Sequence, residues 1–552
     1  MISTKHFLFT TAFAVALHFG IMNGFGAAEN LLPNLLPKPV KCQIRSGIFK
    51  LEKSAMLLAR PGAEAEAQKL AEALRLPTGF VLPVTTNAAD AAAITLELDA
   101  SLKPVVGEEG YRLSVTPNQA LIRAPSEAGL FYAAVTLRQL FPPEMFSPSE
   151  SSVPNGGWAI PCVIIDDFPR FSWRGLLLDP ARHFLPAESL KKFVDLMAMH
   201  KLNKLQLHLT DDQGWRIEIR KYPRLTEIGS VRKESPKHRD PAHGDGIPYG
   251  PFFYTQAEIR ELVAYAQARH VTLVPEIEMP GHFRSALASY PDLSCTGGPF
   301  EVRTRWGVES DILCAGNDRA VAFSKDILDE VCELFPSEFI HIGGDECPRT
   351  RWKACAKCQA RIKAEGLKNE AQLQTWFNHR IEEFLVSKGR RLIGWDEILE
   401  GGLTPGATVM SWRGISGGIA AAKAGHDVVM SPTSHCYFDN GQAEGPGEPE
   451  CIGGVIPLPM VYSYEPVPEA LKLAERAHVL GAQGNLWGEY IWTPRDVEYF
   501  TYPRAAAFAE VVWSSPQQKN YDELLPRLRA DLERLDQLGV KYRPLDAAPP
   551  KR

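Results

Sequence analysis

The chain of 552 residues lacks an excess of charge of either sign, since its formal net charge is only −6. This balance gives no basic surface for nucleic acid or for an acidic membrane. A glycine-rich dinucleotide fingerprint is also missing. After about residue 25, no apolar run is long enough to span a membrane. We therefore expect a mature protein that is soluble, with neither a nucleic-acid partner nor a membrane contact.

The long apolar run lies at the N-terminus, from Phe7 to about Phe25. Lys5 precedes it and the small residues 26–28 follow it, which is the layout of a secretory signal peptide. We predict a signal peptide over residues 1–28 and export to the periplasm or the extracellular space. A membrane-anchoring helix is the alternative, because the run is long enough to cross a bilayer.

The 10 cysteines fit an oxidising compartment. Cys347, Cys355 and Cys358 form a group that includes a CxxC step, which raises the question of zinc. Structural zinc sites need four ligands in most cases, and no histidine or fourth cysteine follows closely. One disulfide with a spare thiol is favoured over zinc, and the pairing cannot be read from sequence. We expect no metal and no cofactor in the reaction.

Residues 30–165 have the pattern of a small α+β domain. "AAITLEL" and "YRLSVT" alternate as strands do, and "EAEAQKLAEALRL" and "EAGLFYAAVTLRQLF" have the apolar spacing of helices. The segment 147–158 is rich in Ser, Pro and Gly and predicts a loop near the domain boundary.

From about residue 170 the pattern changes to alternating strands and helices. A (β/α)8 TIM barrel with long insertions is predicted over residues 168–545, closed by the amphipathic helix "YDELLPRLRADLERLDQLGV". A doubly wound open sheet is the alternative, although its nucleotide fingerprint is absent. The predicted barrel strands are 173–179, 203–209, 271–277, 338–342, 391–395, 407–412, 427–431 and 478–487.

Acids and aromatic residues gather where these strands end, which is where a barrel carries its active site. The end of the fourth strand reads "HIGGDE", and two adjacent acids on a regular strand would face opposite ways. Gly343 and Gly344 allow the backbone to leave strand geometry, so that Asp345 and Glu346 can both face a site. A solvated turn is the alternative. Carboxylates with tryptophans suit a neutral, polyhydroxylated ligand such as a sugar.

The motifs "WRGLLLDPARHF", "HLTDDQGWR", "PEIEMPGH", "HIGGDE", "YFD" and "NLWGEY" occur in this order. Together they resemble the family 20 glycoside hydrolases, the β-N-acetylhexosaminidases, over nearly all of the mature chain. The resemblance implies exo-acting removal of terminal non-reducing β-linked N-acetylglucosamine, or also N-acetylgalactosamine, from glycans or chitooligosaccharides. Such enzymes retain configuration by substrate-assisted catalysis, in which the 2-acetamido carbonyl of the sugar is the nucleophile.

The same resemblance implies the roles of individual residues. Glu346 is similar to the family's acid/base, and we expect burial to raise its pKa. Asp345 corresponds to the residue that holds the acetamido N–H, and Tyr437 to the donor to the acetamido oxygen. Asp211 and His282 resemble a relay that tunes Glu346. The implied sugar-binding residues are Arg174, Trp395, Trp412, Asp439, Trp487 and Glu489.

Other roles remain open for some of these side chains. Arg174 could instead pair with Asp179 inside the barrel. The residues of "DPARHF", including Arg182 and His183, are better interpreted as a structural network. Asp212, Glu276 and Glu278 are candidates for hydrogen-bonded neighbours of the site. The loop after "YFD" departs from the family pattern, which leaves the preferred leaving group undetermined.

The second functional hypothesis is a sugar-binding protein that uses the same scaffold without catalysis. Loss of the acid or of the amide-holding residue would indicate it. Asp345, Glu346 and Tyr437 are all present, which favours the enzyme. The expected partner is an oligosaccharide or glycoconjugate that contains N-acetylhexosamine, and the sequence predicts no oligomeric state.

Overall fold

The structure is a computed structural model that describes residues 33–87, 89 and 92–545. The predicted signal peptide at residues 1–28 lies outside this part of the chain. Among the described residues, no helix combines the length and the apolar character that crossing a membrane requires.

The N-terminal domain contains one seven-stranded mixed sheet, as the α+β prediction requires. Its strand order is β1-β7-β5-β6-β4-β2-β3. The helices Glu64–Thr78 and Glu127–Leu140 pack on the sheet and on each other, and Ser126 caps the second helix through Gly129 N. β7 ends two residues beyond the predicted boundary at 165. The strands are β1 (Lys41–Lys50), β2 (Leu57–Ala59), β3 (Val84–Thr85), β4 (Ile94–Leu98), β5 (Tyr111–Val115), β6 (Ala120–Ala124) and β7 (Ala159–Asp167).

Eight parallel strands then form a closed barrel, which confirms the predicted (β/α)8 fold. The last strand pairs with the first, so the open-sheet alternative is wrong. The barrel interior is an apolar cluster that includes Trp173, Val274 and Met410. The strands are β8 (Trp173–Leu178), β9 (Lys204–His208), β10 (Thr272–Glu276), β11 (Phe339–His341), β12 (Arg391–Trp395), β13 (Thr408–Ser411), β14 (Val428–Met430) and β15 (Val479–Leu486).

Helices follow most of the barrel strands. The predicted capping box of Thr255 and Glu258 is present at the start of the helix Gln256–Gln267. Gly389 has a φ of +69° just beyond the end of the helix Glu370–Ser387, as expected for a C-terminal stop. Between β12 and β13 there is only a 3-10 turn, Asp396–Leu399. The longer helices are Ala187–Met199, Gln256–Gln267, Asp318–Leu334, Ala356–Ala364, Glu370–Ser387, Ser416–Lys423, Pro494–Thr501, Arg504–Trp513 and the closing helix Tyr521–Gln537.

Arg174 joins the two domains and does not face the mouth of the barrel. It lies at the start of β8, and active sites form at the opposite ends of barrel strands. Its guanidinium is fully buried and pairs with Glu109 of the N-terminal domain, with Nη1 2.9 Å from Oε2. It also donates to Tyr132 Oη and to the carbonyl of Lys201. The prediction that Arg174 binds the sugar is therefore wrong, and its suggested partner Asp179 is wrong as well.

We expect Arg174→Gln to lower the free energy of unfolding by about 3 kcal/mol, since it leaves a partly buried carboxylate without its cation. Lys233→Gln is the control, because its pair with Glu301 is exposed (74% and 72%) and should contribute less than about 1 kcal/mol. Denaturant unfolding of both variants measures the difference. Similar losses in the two variants would contradict the role assigned to Arg174.

Candidate active site

The loop after β11 bends sharply at the two glycines before the acid pair. Gly343 has a φ of +65° and Gly344 a φ of +91°, so the backbone leaves strand geometry as expected. A Cβ on Gly343 would lie only 1.7 Å from Glu278 Oε2, so this position also has no room for a side chain. Glu346 has a φ of +39°, an unusual conformation for a residue other than glycine. Such conformations concentrate at functional sites.

His282, from the loop after β10, contacts both acids of the pair. Its Nε2 lies 3.7 Å from Asp345 Oδ2 and 3.4 Å from Glu346 Oε2. On its other side, Nδ1 is hydrogen-bonded to Asp212 at 3.3 Å and lies 3.6 Å from Asp211. Burial lowers the pKa of His282, but the surrounding carboxylates, Asp211 first, raise it well above its usual value. His282 thus lies between the acid pair and Asp211 as the predicted relay requires, but its hydrogen-bonded carboxylate is Asp212 and not the predicted Asp211.

The expected rise in the pKa of Glu346 does not occur. The hydrogen bond with His282 lowers this pKa, and burial opposes that effect only in part. The side chain of Glu346 is 39% exposed, and its partial burial does not outweigh this hydrogen bond. Asp345 shows the reverse balance: burial raises its pKa despite the nearby imidazole. Its Oδ1 accepts no hydrogen bond from any described residue and is thus available to a ligand.

Glu276 and Glu278 lie beneath the acid pair and differ in their charge states. Glu276 accepts hydrogen bonds from Gln206, His208 and Trp395 at 2.7–2.8 Å. Burial raises its pKa, but His341 and His208 outweigh burial and hold the pKa well below its usual value. Both oxygens of Glu278 lack a hydrogen-bond partner in the described structure, although Oε1 lies 3.8 Å from His208 Nδ1, and burial followed by the charge of Asp345 raises the pKa of Glu278 strongly. Glu276 is a satisfied neighbour of the site, as predicted, whereas burial and the charge of Asp345 favour the protonated form of Glu278.

Arg182 is the arginine that the structure places at the mouth, just beyond the end of β8. It pairs with Asp179 at 2.9 Å and with Asp211 at 2.8 Å, and its Nη2 lies 3.9 Å from Glu489. Its guanidinium also lies over the ring of Trp487, 5.3 Å from the centroid. Sequence reasoning assigned it to a structural network. Arg182 follows the end of β8 whereas Arg174 lies at its start, and this difference in position was the signal that could have identified Arg182.

Asp439 and Glu489 place carboxylate oxygens at the mouth that no described residue satisfies. Both oxygens of Asp439 and one of Glu489 are buried without a hydrogen-bond partner. Burial, followed by the charge of Glu489, raises the pKa of Asp439 well above its usual value. Burial also raises the pKa of Glu489, although Arg182 opposes it. Unsatisfied buried polar atoms require an explanation, and ligand hydroxyls would supply their partners.

Aromatic side chains form the remaining walls of this site. Tyr437 stacks on Trp412 with ring centroids 6.3 Å apart and lies 6.5 Å from Trp487. Burial raises the pKa of Tyr437 well above its usual value, which keeps its hydroxyl a neutral donor. Trp395 is only 1% exposed and supports Trp487 from below, with centroids 5.6 Å apart. The structure thus brings together every predicted site residue except Arg174.

The family comparisons agree with this geometry. The model of the glycosyl hydrolase family 20 catalytic domain matches residues 171–516, and that of its domain 2 matches residues 32–168. A β-hexosaminidase of Porphyromonas gingivalis is 45% identical over 512 residues, which are 92% of this chain and 64% of that protein. The chain thus spans slightly less than two thirds of this relative.

Two solved structures share the fold. The family 20 β-N-acetylhexosaminidase of Streptomyces coelicolor has a TM-score of 0.81 and 30% identity, covering 93% of this chain and 98% of its own. An exo-β-N-acetylglucosaminidase of Vibrio harveyi, in complex with N-acetylglucosamine, has a TM-score of 0.82 and 32% identity, with coverage of 93% and 78%. Fold and site together define a glycoside hydrolase. The chain belongs to glycosyl hydrolase family 20.

The different states of Glu276 and Glu278 give a test that needs no substrate. Glu276→Gln should lower the free energy of unfolding at neutral pH by about 3 kcal/mol, because it removes the charge that faces His208. Glu278→Gln keeps a neutral side chain of similar size and should raise the free energy of unfolding at neutral pH, because an acid whose pKa is raised by folding destabilises the fold above its unfolded pKa. Chemical denaturation measures both values, and equal losses would contradict the assignment.

The difference between these two variants should also depend on pH. A carboxylate with a depressed folded pKa stabilises the fold above its unfolded pKa, about 4.3 for Glu. This contribution is lost as the pH falls from that value towards the folded pKa. The cost of Glu276→Gln should therefore shrink in acid.

Proposed function

We propose that the protein is an exo-acting β-N-acetylhexosaminidase that uses retaining, substrate-assisted catalysis. The observation that carries the proposal is the adjacency of Asp345 and Glu346 on one glycine-bent loop, with His282 within 3.7 Å of both. Two acids on the same loop do not flank a sugar as the nucleophile and the acid of a two-carboxylate mechanism must. They suit a mechanism in which one acid acts on the leaving oxygen and the other acts on the acetamido group.

In the first step, Glu346 donates a proton to the glycosidic oxygen as the bond to the anomeric carbon breaks. The carbonyl oxygen of the 2-acetamido group attacks that carbon and closes an oxazolinium ring. Asp345 accepts a hydrogen bond from the acetamido N–H and stabilises its developing positive charge. In the second step, Glu346 takes a proton from water, which opens the ring with net retention.

The low pKa of Glu346 is compatible with this role. A sugar over the carboxyl group would remove water from it, and desolvation raises a carboxyl pKa. His282 carries a proton 3.4 Å away, on the side opposite Asp212. Glu346 regains its proton from water in the second step, so the proposed relay acts by orienting the Glu346 carboxyl group and by tuning its pKa.

The unsatisfied groups at the mouth account for sugar binding. Asp439, Glu489 and Arg182 would pair with ring hydroxyls, which supply the partners that the carboxylates lack. Tyr437 would donate to the acetamido oxygen, and Trp412 and Trp487 would cover the apolar faces of the sugar. The relative from Vibrio harveyi in complex with N-acetylglucosamine supports this substrate class.

The proposal extends to the natural substrate and the location of the protein. The substrate would be a glycan or chitooligosaccharide with a terminal β-linked N-acetylglucosamine or N-acetylgalactosamine. The N-terminal run of residues 7–25 supports export to the periplasm or the extracellular space.

We expect Glu346→Gln to lower turnover by about 10²-fold or more on substrates with poor leaving groups. Aryl glycosides with good leaving groups need less protonation, so their bond-cleavage step should be slowed less. Pre-steady-state release of the aryl group, compared with turnover of a chitooligosaccharide, measures the two effects. The acid role is wrong if bond cleavage suffers equally with both substrates.

Asp345→Asn should reduce kcat/KM by about 10²-fold or more, because it removes the charge opposite the oxazolinium nitrogen. A β-glucoside with a plain 2-hydroxyl should hardly react with the native enzyme, since it lacks the nucleophile. Steady-state assays of matched aryl β-glucosides and β-N-acetylglucosaminides test both points. A covalent 2-fluoroglycosyl adduct on Asp345 or Glu346, found by mass spectrometry, would refute substrate assistance.

A further inference from the structure

Four cysteine sulfurs converge behind the loop that carries the acid pair. They belong to Cys295, Cys314, Cys355 and Cys358, here called the four-cysteine cluster, and all four lie within 4.8 Å of one another. The sulfur of Cys314 is 3.7 Å from that of Cys355 and 3.6 Å from that of Cys358. The sulfur of Cys295 is 3.8 Å from that of Cys358. Cys347, which the sequence grouped with Cys355 and Cys358, is not a member.

These separations correspond to a tetrahedral metal site. With Zn–S distances of about 2.3 Å, the sulfurs of a tetrahedron lie roughly 3.8 Å apart. A disulfide would bring two sulfurs to about 2.05 Å. All ten cysteines are free thiols in the structure, so the expected disulfide is not formed. Two disulfides would produce two close pairs of sulfurs, whereas the cluster has three nearly equal short separations.

The fold builds this cluster from two parts that are distant in sequence. An antiparallel β-bridge between Ser294 and Leu313 brings together the two segments that carry Cys295 and Cys314. The CxxC pair lies at the junction of the helices Thr350–Ala354 and Ala356–Ala364.

Contacts between the two parts hold them in register. Trp352 donates from Nε1 to the carbonyl of Leu313 at 2.9 Å. A Cβ on Gly316 would lie 2.4 Å from Cys358 N, so this close approach of the two backbones requires glycine. The arrangement is therefore packed and internally supported. Three of the four cysteines are buried.

We propose that the four-cysteine cluster binds one zinc ion as a closed, structural tetrathiolate site. Four protein thiolates complete the coordination of zinc and leave no position for water or substrate, so the ion would take no part in chemistry. Thiolates select soft or borderline metals, which excludes magnesium and calcium. The proposal goes beyond the hydrolase reaction and does not depend on it.

The position of the cluster indicates what the zinc would stabilise. Cys295 and Cys314 lie in the connection that leaves β10 and carries His282. Cys355 lies nine residues after Glu346 in the connection that leaves β11. The ion would fasten these two loops to each other. It would thereby keep His282 at its contact distance from Asp345 and Glu346.

The first test measures metal in the full-length protein. The protein is produced without a metal-affinity tag, dialysed against metal-free buffer and analysed by inductively coupled plasma mass spectrometry. We expect about one zinc per chain. Replacement by Co²⁺ should give the thiolate charge-transfer and d–d bands of a tetrahedral sulfur site. Absence of zinc, together with a native mass reduced by four hydrogens, would show two disulfides and overturn the proposal.

The second test assigns the ligands. Cys355→Ser and Cys358→Ser should each reduce zinc from about one per chain to near zero, because a three-thiolate site lacks its fourth ligand. Cys347→Ser and Cys332→Ser are matched controls from the same region and should retain the metal. Retention of zinc by Cys355→Ser and Cys358→Ser, or its loss from Cys347→Ser, would refute the assigned ligand set. If a ligand variant does not fold, the cobalt spectrum of the native chain still decides the donor set.

Discussion

The mouth of the barrel contains more buried carboxylates than cations, and this imbalance sets the charge of each group in the site. Arg182 and His282 hold the pKa of Asp211 low although its burial opposes them. Two histidines hold the pKa of Glu276 low, whereas Glu278 lies 3.8 Å from His208 without a hydrogen bond and its pKa is raised by burial and by Asp345. Asp345 lies above Glu278. A positive charge that develops on a bound substrate would therefore have its strongest stabilising interaction with the carboxylate of Asp345. The different roles of Asp345 and Glu346 follow from this distribution of charge.

Contacts between the loops after β10 and β11 fix the backbone of the site. Glu278 fills the space where Gly343 would carry a Cβ, which ties the loop after β11 to the loop after β10. His282 bridges the same two loops beside the acid pair, and the four-cysteine cluster bridges them a second time. Preorganised groups of this kind stabilise a transition state without rearranging during the reaction.

The barrel was predictable from sequence because its strands are buried on both faces and read as short apolar runs. Each predicted strand agrees with the structure to within one residue at either end. The same strand boundaries would have separated the two arginines, since Arg174 is the second residue of β8 and Arg182 lies beyond the end of this strand. Sugar binding was assigned to Arg174 instead of Arg182 because both residues lie in the motif "WRGLLLDPARHF".

Other features of the site depend on contacts that sequence does not show. The pKa of Glu346 is set by its exposure and by a histidine 64 positions earlier, so local reasoning about burial gave the wrong direction. The sequence does not reveal the four-cysteine cluster as one set of ligands, because Cys295 and Cys358 are 63 positions apart. Spacing identifies ligands only when they share a local motif.

The most direct test of the account is a crystal structure with a thiazoline mimic of the cyclised sugar. We expect the thiazoline nitrogen within hydrogen-bond distance of Asp345, a ring hydroxyl on Arg182 or Glu489, and Arg174 still paired with Glu109. Such a mimic resembles the intermediate and should bind tightly. A complex in which Asp345 does not contact the nitrogen, or in which a protein carboxylate lies against the anomeric carbon, would contradict the account.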